Sequence, residues 1–299
     1  MYSIEEFIIE VFCIVDDELK DLLKTMPLRS RGFPPALSDS EVITMEIVGE
    51  FLGMDTDKGI HKYFRQHWSQ LFPALCSRTT FARQAANLWA VKQMLYARIV
   101  SRIDVSNQRV FLIDGFPIPV CEFGRAVQAR VFAGEASYGY CASKKLTYYG
   151  FKGQIVCTAS GVIVGFTAAP ANLTEPVAMW DAFPDLSGWL IGDKGYISRA
   201  LTEQLQAERD LHLETVGVRS NMKETRSKTH LRAVGLIRRL VETVIGQLSE
   251  RLHVERVRAR DLWHFTSRMI RKVLTHTVAV ALMRQNGDLS LQFERLIAA

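Results

Sequence analysis

The chain has 299 residues, of which 48% are hydrophobic and 23% charged, enough for one large or two ordinary domains with a real core. No apolar run reaches membrane-spanning length and the N-terminus is acidic without a basic leader, so neither a membrane protein nor a secretory signal is expected; five scattered cysteines with no Cys-x-x-Cys pair argue against a zinc site or a disulfide framework and point to a reducing cytoplasm. The net charge of +5 is unevenly spread: residues 1–24 hold seven acids and two lysines, whereas residues 219–272 hold fourteen basic and five acidic side chains, as a polyanion partner such as nucleic acid would require. A solvated cationic helix face is the plainer alternative, but this block carries apolar periodicity and Trp263.

Residues 3–25 have the spacing of an amphipathic helix that ends before Pro27, and residues 30–35 have linker composition. Ser38 with Glu41 forms a capping box for a second helix that stops at Gly53. A third helix is expected over Lys58–Phe72, and Ser77 caps a long fourth one to about Ile103, with Arg78, Arg83, Lys92, Arg98 and Arg102 at exposed positions. Several short helices with a basic last member resemble a helix-turn-helix DNA-binding head, although any small helical bundle has this pattern.

From Arg109 the pattern changes to strands. Arg109–Asp114 is an apolar run ending in an acid, while Phe116–Val120 is too proline-rich for a central strand and 121–147 reads as an irregular excursion. Tyr148–Ala159 and Val162–Ala168 form a hairpin about Ser160-Gly161. A helix over Glu175–Phe183, a strand over Trp189–Asp193, a helix near Arg199–Glu208 and a strand near Leu211–Val218 follow. This order predicts an α/β sheet of mixed direction. Two helices close the chain, Leu231–Leu252 and Trp263–Met283.

Asp114 and Asp193 each follow a buried apolar run, so each carboxylate sits at a rim on rigid support. An aspartate there also starts turns or caps helices. Two in one context favour a divalent-metal site, with Glu242 on the flanking helix as a third carboxylate. Arg238 lies four residues before Glu242, so a plain surface ion pair is the competing reading of that glutamate. Hard oxygen ligands select Mg²⁺ or Mn²⁺, and two such ions can serve both oxygens of a phosphodiester displacement.

These residues carry a resemblance. Ile113-Asp114-Gly115-Phe116-Pro117-Ile118-Pro119-Val120-Cys121, Tyr149-Gly150-Phe151-Lys152, Gly192-Asp193-Lys194-Gly195-Tyr196 and Val241-Glu242-Thr243, with gaps of 79 and 49 residues between the three acids, resemble a bacterial insertion-sequence transposase of the DDE type, most nearly the insertion-sequence family numbered nine-eighty-two. The resemblance implies an RNase H-like mixed-sheet catalytic core behind an N-terminal all-α helical DNA-binding domain. It implies Asp114, Asp193 and Glu242 as catalytic metal ligands for two Mg²⁺ ions, with Mn²⁺ as a substitute. It also implies cleavage of element ends to expose 3′-hydroxyls, their joining to target DNA, and a homodimer assembled on double-stranded DNA. Related transposases often carry Tyr, Arg and Lys around the helix glutamate where this chain has Gly235, Arg238 and Ser249, so only the arginine is kept.

The expected division is 1–105 for the head, 106–285 for the catalytic domain and 286–299 for a C-terminal tail. Lys144, Lys145, Lys152, Lys194, Arg219, Arg238 and Arg239 are the candidate phosphate contacts. Trp180, Trp189 and Trp263 could stack on an unpaired base, though core packing is the commoner role. A hydrolytic nuclease on the same fold and a non-catalytic DNA-binding remnant are the alternative functions. A cytoplasmic, nucleoid-associated bacterial protein is expected.

Overall fold

The computed structural model describes every residue except 30, 104, 106, 183–185, 220 and 299. Ser30, at the head of the expected linker, and Phe183, at the end of an expected helix, therefore lie outside the described residues. In chain order the helices are α1 (Ile4–Leu23), α2 (Asp39–Phe51), α3 (Asp57–His67), α4 (Arg78–Asn87), α5 (Trp89–Arg102), α6 (Phe123–Ala126), α7 (Glu175–Ala178), α8 (Arg199–Arg209), α9 (Lys228–Gly246) and α10 (Leu262–Gln285). The strands are β1 (Val110–Glu122), β2 (Ser137–Cys141), β3 (Leu146–Thr158), β4 (Ile163–Pro170), β5 (Gly188–Gly192) and β6 (Leu211–Thr215).

Two compact units divide the chain: Met1–Ile103 with Leu248–Val254 and Arg258–Ala299, and Asp104–Gln247 with Glu255–Val257. The first is helical. Ser3 and Ser38 start α1 and α2 with the reciprocal bonds of capping boxes to Glu6 and Glu41, satisfying amide groups that helix starts otherwise leave unpaired. α10 packs on α5 and α2 in this unit, and Phe293 and Leu296 beyond it are buried. Arg258–Ala299 thus groups with the N-terminal helices. The sequence reading instead assigned α10 to the catalytic domain and 286–299 to a tail.

The reason is a charged core. Glu46 and Glu50 on α2 are almost fully buried. Lys92 Nζ lies 2.8 Å from Glu46, and Lys272 Nζ lies 2.7 Å from Glu50. Arg271 bonds Glu50, Glu46 and Asp57. Charges removed from water need partners at this range, so α2 and α10 must stay together. Lys92, expected at the surface, is wholly buried. The long helix expected from Ser77 to Ile103 is broken at Leu88, which caps both α4 and α5. Across the break Lys92 stays in phase with the buried Phe81, Ala85, Leu88, Leu95 and Ile99, so it faces the core. Arg98 and Arg102 are also engaged, by Glu18 and Asp21 of α1.

The second unit is a six-stranded mixed sheet ordered β2-β3-β1-β5-β6. β2 pairs with β3 from Leu146 to Gly150 and β4 takes over that edge from Phe151 to Cys157. β2 was hidden in the stretch read as irregular. β1 pairs antiparallel with β3 along its whole length but parallel with β5 only at Val110–Leu112. The Pro117 and Pro119 segment, expected to lie outside any central strand, is therefore strand after all. Among the described pairings it has a neighbour on one side only, where a missing amide donor costs no ladder bond.

Candidate functional site in the mixed sheet

The β1–β5 register places the two aspartates. Val110 pairs with Trp189, Phe111 with Leu190 and Leu112 with Ile191. This offset of 79 equals the separation of the two aspartates, so Asp193, one residue beyond β5, stands abreast of Asp114. Asp114 itself is not at a strand end, because β1 continues for eight residues past it. α9 lies against β1 and β5 and brings up Arg238 and Glu242.

Arg238 joins the acids. Its Nη2 donates to Asp114 Oδ2 at 2.6 Å and its Nη1 to Glu242 Oε1 at 2.6 Å. The surface-pair reading of Glu242 is thus half of the picture, since the same guanidinium also reaches the sheet. Asp114 Oδ1 accepts from the Gly115 amide at 2.9 Å, and Asp193 Oδ1 accepts from the Gly195 amide at 2.7 Å. Burial pushes the Asp114 carboxyl up to about 6; Arg238 and the Gly115 amide pull it down, and Asp193 and Glu242 add to the rise.

A fourth carboxylate completes the group. Glu175 is the first residue of α7 and is raised by burial, then by the charge of Asp193. A Cβ on Gly195 would stand 1.9 Å from Glu175 Oε2 and 2.8 Å from Asp193 Oδ1, so both oxygens close over this glycine. Only glycine admits that approach. Gln154 Nε2 donates to the Glu175 carbonyl at 3.0 Å and to the Tyr196 hydroxyl at 3.2 Å, fixing α7 against the site. The sequence reading missed Glu175 because it follows a hairpin, not a buried apolar run. The nearest sequence signal was the Gly195 turn, which names no partner.

The candidate phosphate contacts divide. Arg238 is in the site, and Lys152 Nζ lies 3.9 Å from Glu175 Oε1 at its margin. Lys194 follows Asp193 directly and is exposed. Arg219 Nη2 donates to the Ile197 carbonyl. Lys144 is held by Glu255 at 2.5 Å, Lys145 sits exposed in the β2–β3 turn and Arg239 is exposed on α9. Trp189 is 46% exposed and meets His212 on the neighbouring strand.

Among the described residues no three His, Cys, Asp or Glu side chains converge at metal-binding distances; Arg238 holds Asp114 and Glu242 instead. The donor set nevertheless fits a hard divalent ion. It offers carboxylate oxygens alone, one of them from Asp114, whose burial and acidic neighbours call for added positive charge.

A family model described as a transposase DDE domain matches residues 105–262. The chain belongs to the DDE transposase domain family. Comparison with curated proteins returns no match. The match spans the mixed sheet, α9 and the start of α10, so Asp114, Glu175, Asp193 and Glu242 all fall within the DDE transposase domain. The mixed sheet with flanking helices fits such a core. No helix among the described residues is long and apolar enough to cross a membrane.

Proposed function

We propose that this DDE transposase binds the ends of an insertion sequence of the nine-eighty-two type, cuts phosphodiester bonds to expose 3′-hydroxyls and joins them to target DNA. The observation that carries the reading is Asp193 standing abreast of Asp114 on an α/β sheet, which we take as RNase H-like, with Arg238 bonded to both Asp114 and Glu242. Asp114, Asp193 and Glu242 would hold two Mg²⁺ ions, or Mn²⁺ in their place. Bound there, the pair would activate an attacking oxygen and stabilise the leaving one.

The chain's own residues then have separable tasks. The Gly115 and Gly195 amides orient one oxygen of each aspartate, while the second oxygen of Asp114 is held by Arg238 until a ligand takes its place. Arg238 neutralises the acids before DNA arrives and is positioned to move onto a phosphate oxygen. Lys152, Lys194, Arg219 and Arg239, with Lys144 and Lys145 further out, would hold the backbone without reading sequence. The helical unit is the DNA-binding head, and two copies assemble on paired element ends in the nucleoid.

Asp114→Asn, Asp193→Asn and Glu242→Gln should each abolish cutting of a duplex carrying the DNA that flanks the gene, with duplex binding near normal. Any one of them cutting at full rate overturns the triad. A joined strand-transfer product separates transposition from the hydrolytic nuclease, which yields only nicked ends.

A further inference from the structure

The cations of the helical unit are unevenly engaged. Lys20, Lys24, Arg29, Arg98 and Arg102 each hold a carboxylate. Those of α3 and α4 do not. Lys62 and Arg65 on α3 and Arg78 and Arg83 on α4 are exposed, and among the described residues none has a carboxylate partner. Four free cations thus share one helix pair, beside the exposed Arg31 and Arg260 elsewhere in the unit, while the acidic α1 neutralises the arginines of α5.

α4 has two faces of different chemistry. Phe81, Gln84 and Ala85 point inward, and Gln84 Nε2 pins the helix by donating to the Leu37 carbonyl at 3.0 Å and to Asp39 at 2.8 Å. Thr79, Arg83 and Asn87 recur every fourth residue and form one exposed stripe. With Arg78 they line a groove of about 310 Å³ whose far wall is Trp263 and His264 at the start of α10. Trp263 is half exposed and backed edge-on by Trp89 at 6.2 Å between ring centres. The acid at that edge, Asp261, already holds the amide and ring of His264.

We infer that the outer face of α4 is a base-reading surface for duplex DNA. A helix of α4's size enters a major groove about 12 Å wide. Arg83 is the side-chain type that donates twice to a guanine edge, Asn87 the type that donates to adenine N7 and accepts from its N6 amine, and Thr79 suits a thymine methyl. Arg78, Lys62 and Arg65 hold phosphates on either side, and Trp263 packs against the sugar face of one strand. The inference rests on the proposed function only for the partner's identity, which the unpaired charge supports independently.

The test is selection by the full chain from a duplex library with a randomised centre. The wild type should enrich one motif. Arg83→Ala and Asn87→Ala should each lose roughly 5- to 150-fold discrimination at one or two positions of it. Arg78→Ala should weaken all duplexes alike and reduce the salt slope by about one. Trp263→Ala should weaken binding without altering the motif. The double variant Arg83→Ala with Asn87→Ala, folded by circular dichroism and still enriching the wild-type motif, would overturn the surface. So would displacement of the enriched duplex by single-stranded RNA in direct competition. Selection reads binding alone, so either result leaves the strand-cutting reading to its own assay.

Discussion

Asp114→Asn should stabilise the metal-free protein at alkaline pH, although it disables the proposed site. The Asp114 carboxyl is pushed from 3.8 up to about 6, chiefly by burial, and this is net of the Arg238 pairing that opposes it. The folded state therefore holds the proton more tightly than the unfolded chain. The linkage term is absent below pH 3.8, grows as pH rises between the two values and is fully destabilising above 6. A difference of about two units corresponds to about 3 kcal/mol at pH 8 and about 1 kcal/mol at pH 4.5. Leaving Arg238 without this partner makes these upper bounds. Urea unfolding in EDTA at both pH values measures the gap between wild type and variant. The variant should gain most at pH 8. An equal gap at the two pH values, or a variant losing more stability at pH 8, would refute the electrostatic account. Adding Mg²⁺ should then stabilise the wild type at pH 8 and leave the variant unmoved.

Arg238→Ala removes the largest pull that lowers Asp114, so the pH at half-maximal divalent binding should rise; an unchanged midpoint by calorimetry counts against the bridge. Gly195→Ala places a methyl on the Glu175 carboxylate and should weaken Mn²⁺ binding at least about tenfold by electron paramagnetic resonance, with circular dichroism retained. Glu46→Ala leaves Lys92 and Arg271 short of a buried partner and should cost about 3–5 kcal/mol in urea unfolding. Lys144→Ala breaks a half-exposed pair with Glu255 and should cost no more than about 1 kcal/mol in the same measurement.

The run Trp189–Asp193 was legible as a strand ending in a glycine and an acid, and Asp193 both caps the following turn and stands abreast of Asp114. The spacing of the two aspartates carried the sheet register without showing it, since a parallel offset becomes visible only once the strands are paired. Glu175 was not legible: its role comes from the β3–β4 hairpin, which delivers α7 over Gly195 from a distant part of the chain. Lys92 misled for a different reason. A lysine in an amphipathic pattern reads as solvent-facing, and only the buried glutamates of α2 make the opposite placement affordable. The basic block was legible as charge but not as function. Arg226 is held by Glu214 and Glu224, and Arg271 and Lys272 are core residues, so part of its charge is spent inside the protein.

Anomalous diffraction from Mn²⁺ in a complex with cut-end duplex DNA would probe the proposed chemistry at its source. Peaks within direct-coordination distance of Asp114 and Asp193, about 2.1 Å, with Arg238 withdrawn and Glu242 turned inward, are the result expected. Manganese bound elsewhere, with Arg238 still bridging Asp114 and Glu242, would contradict the account.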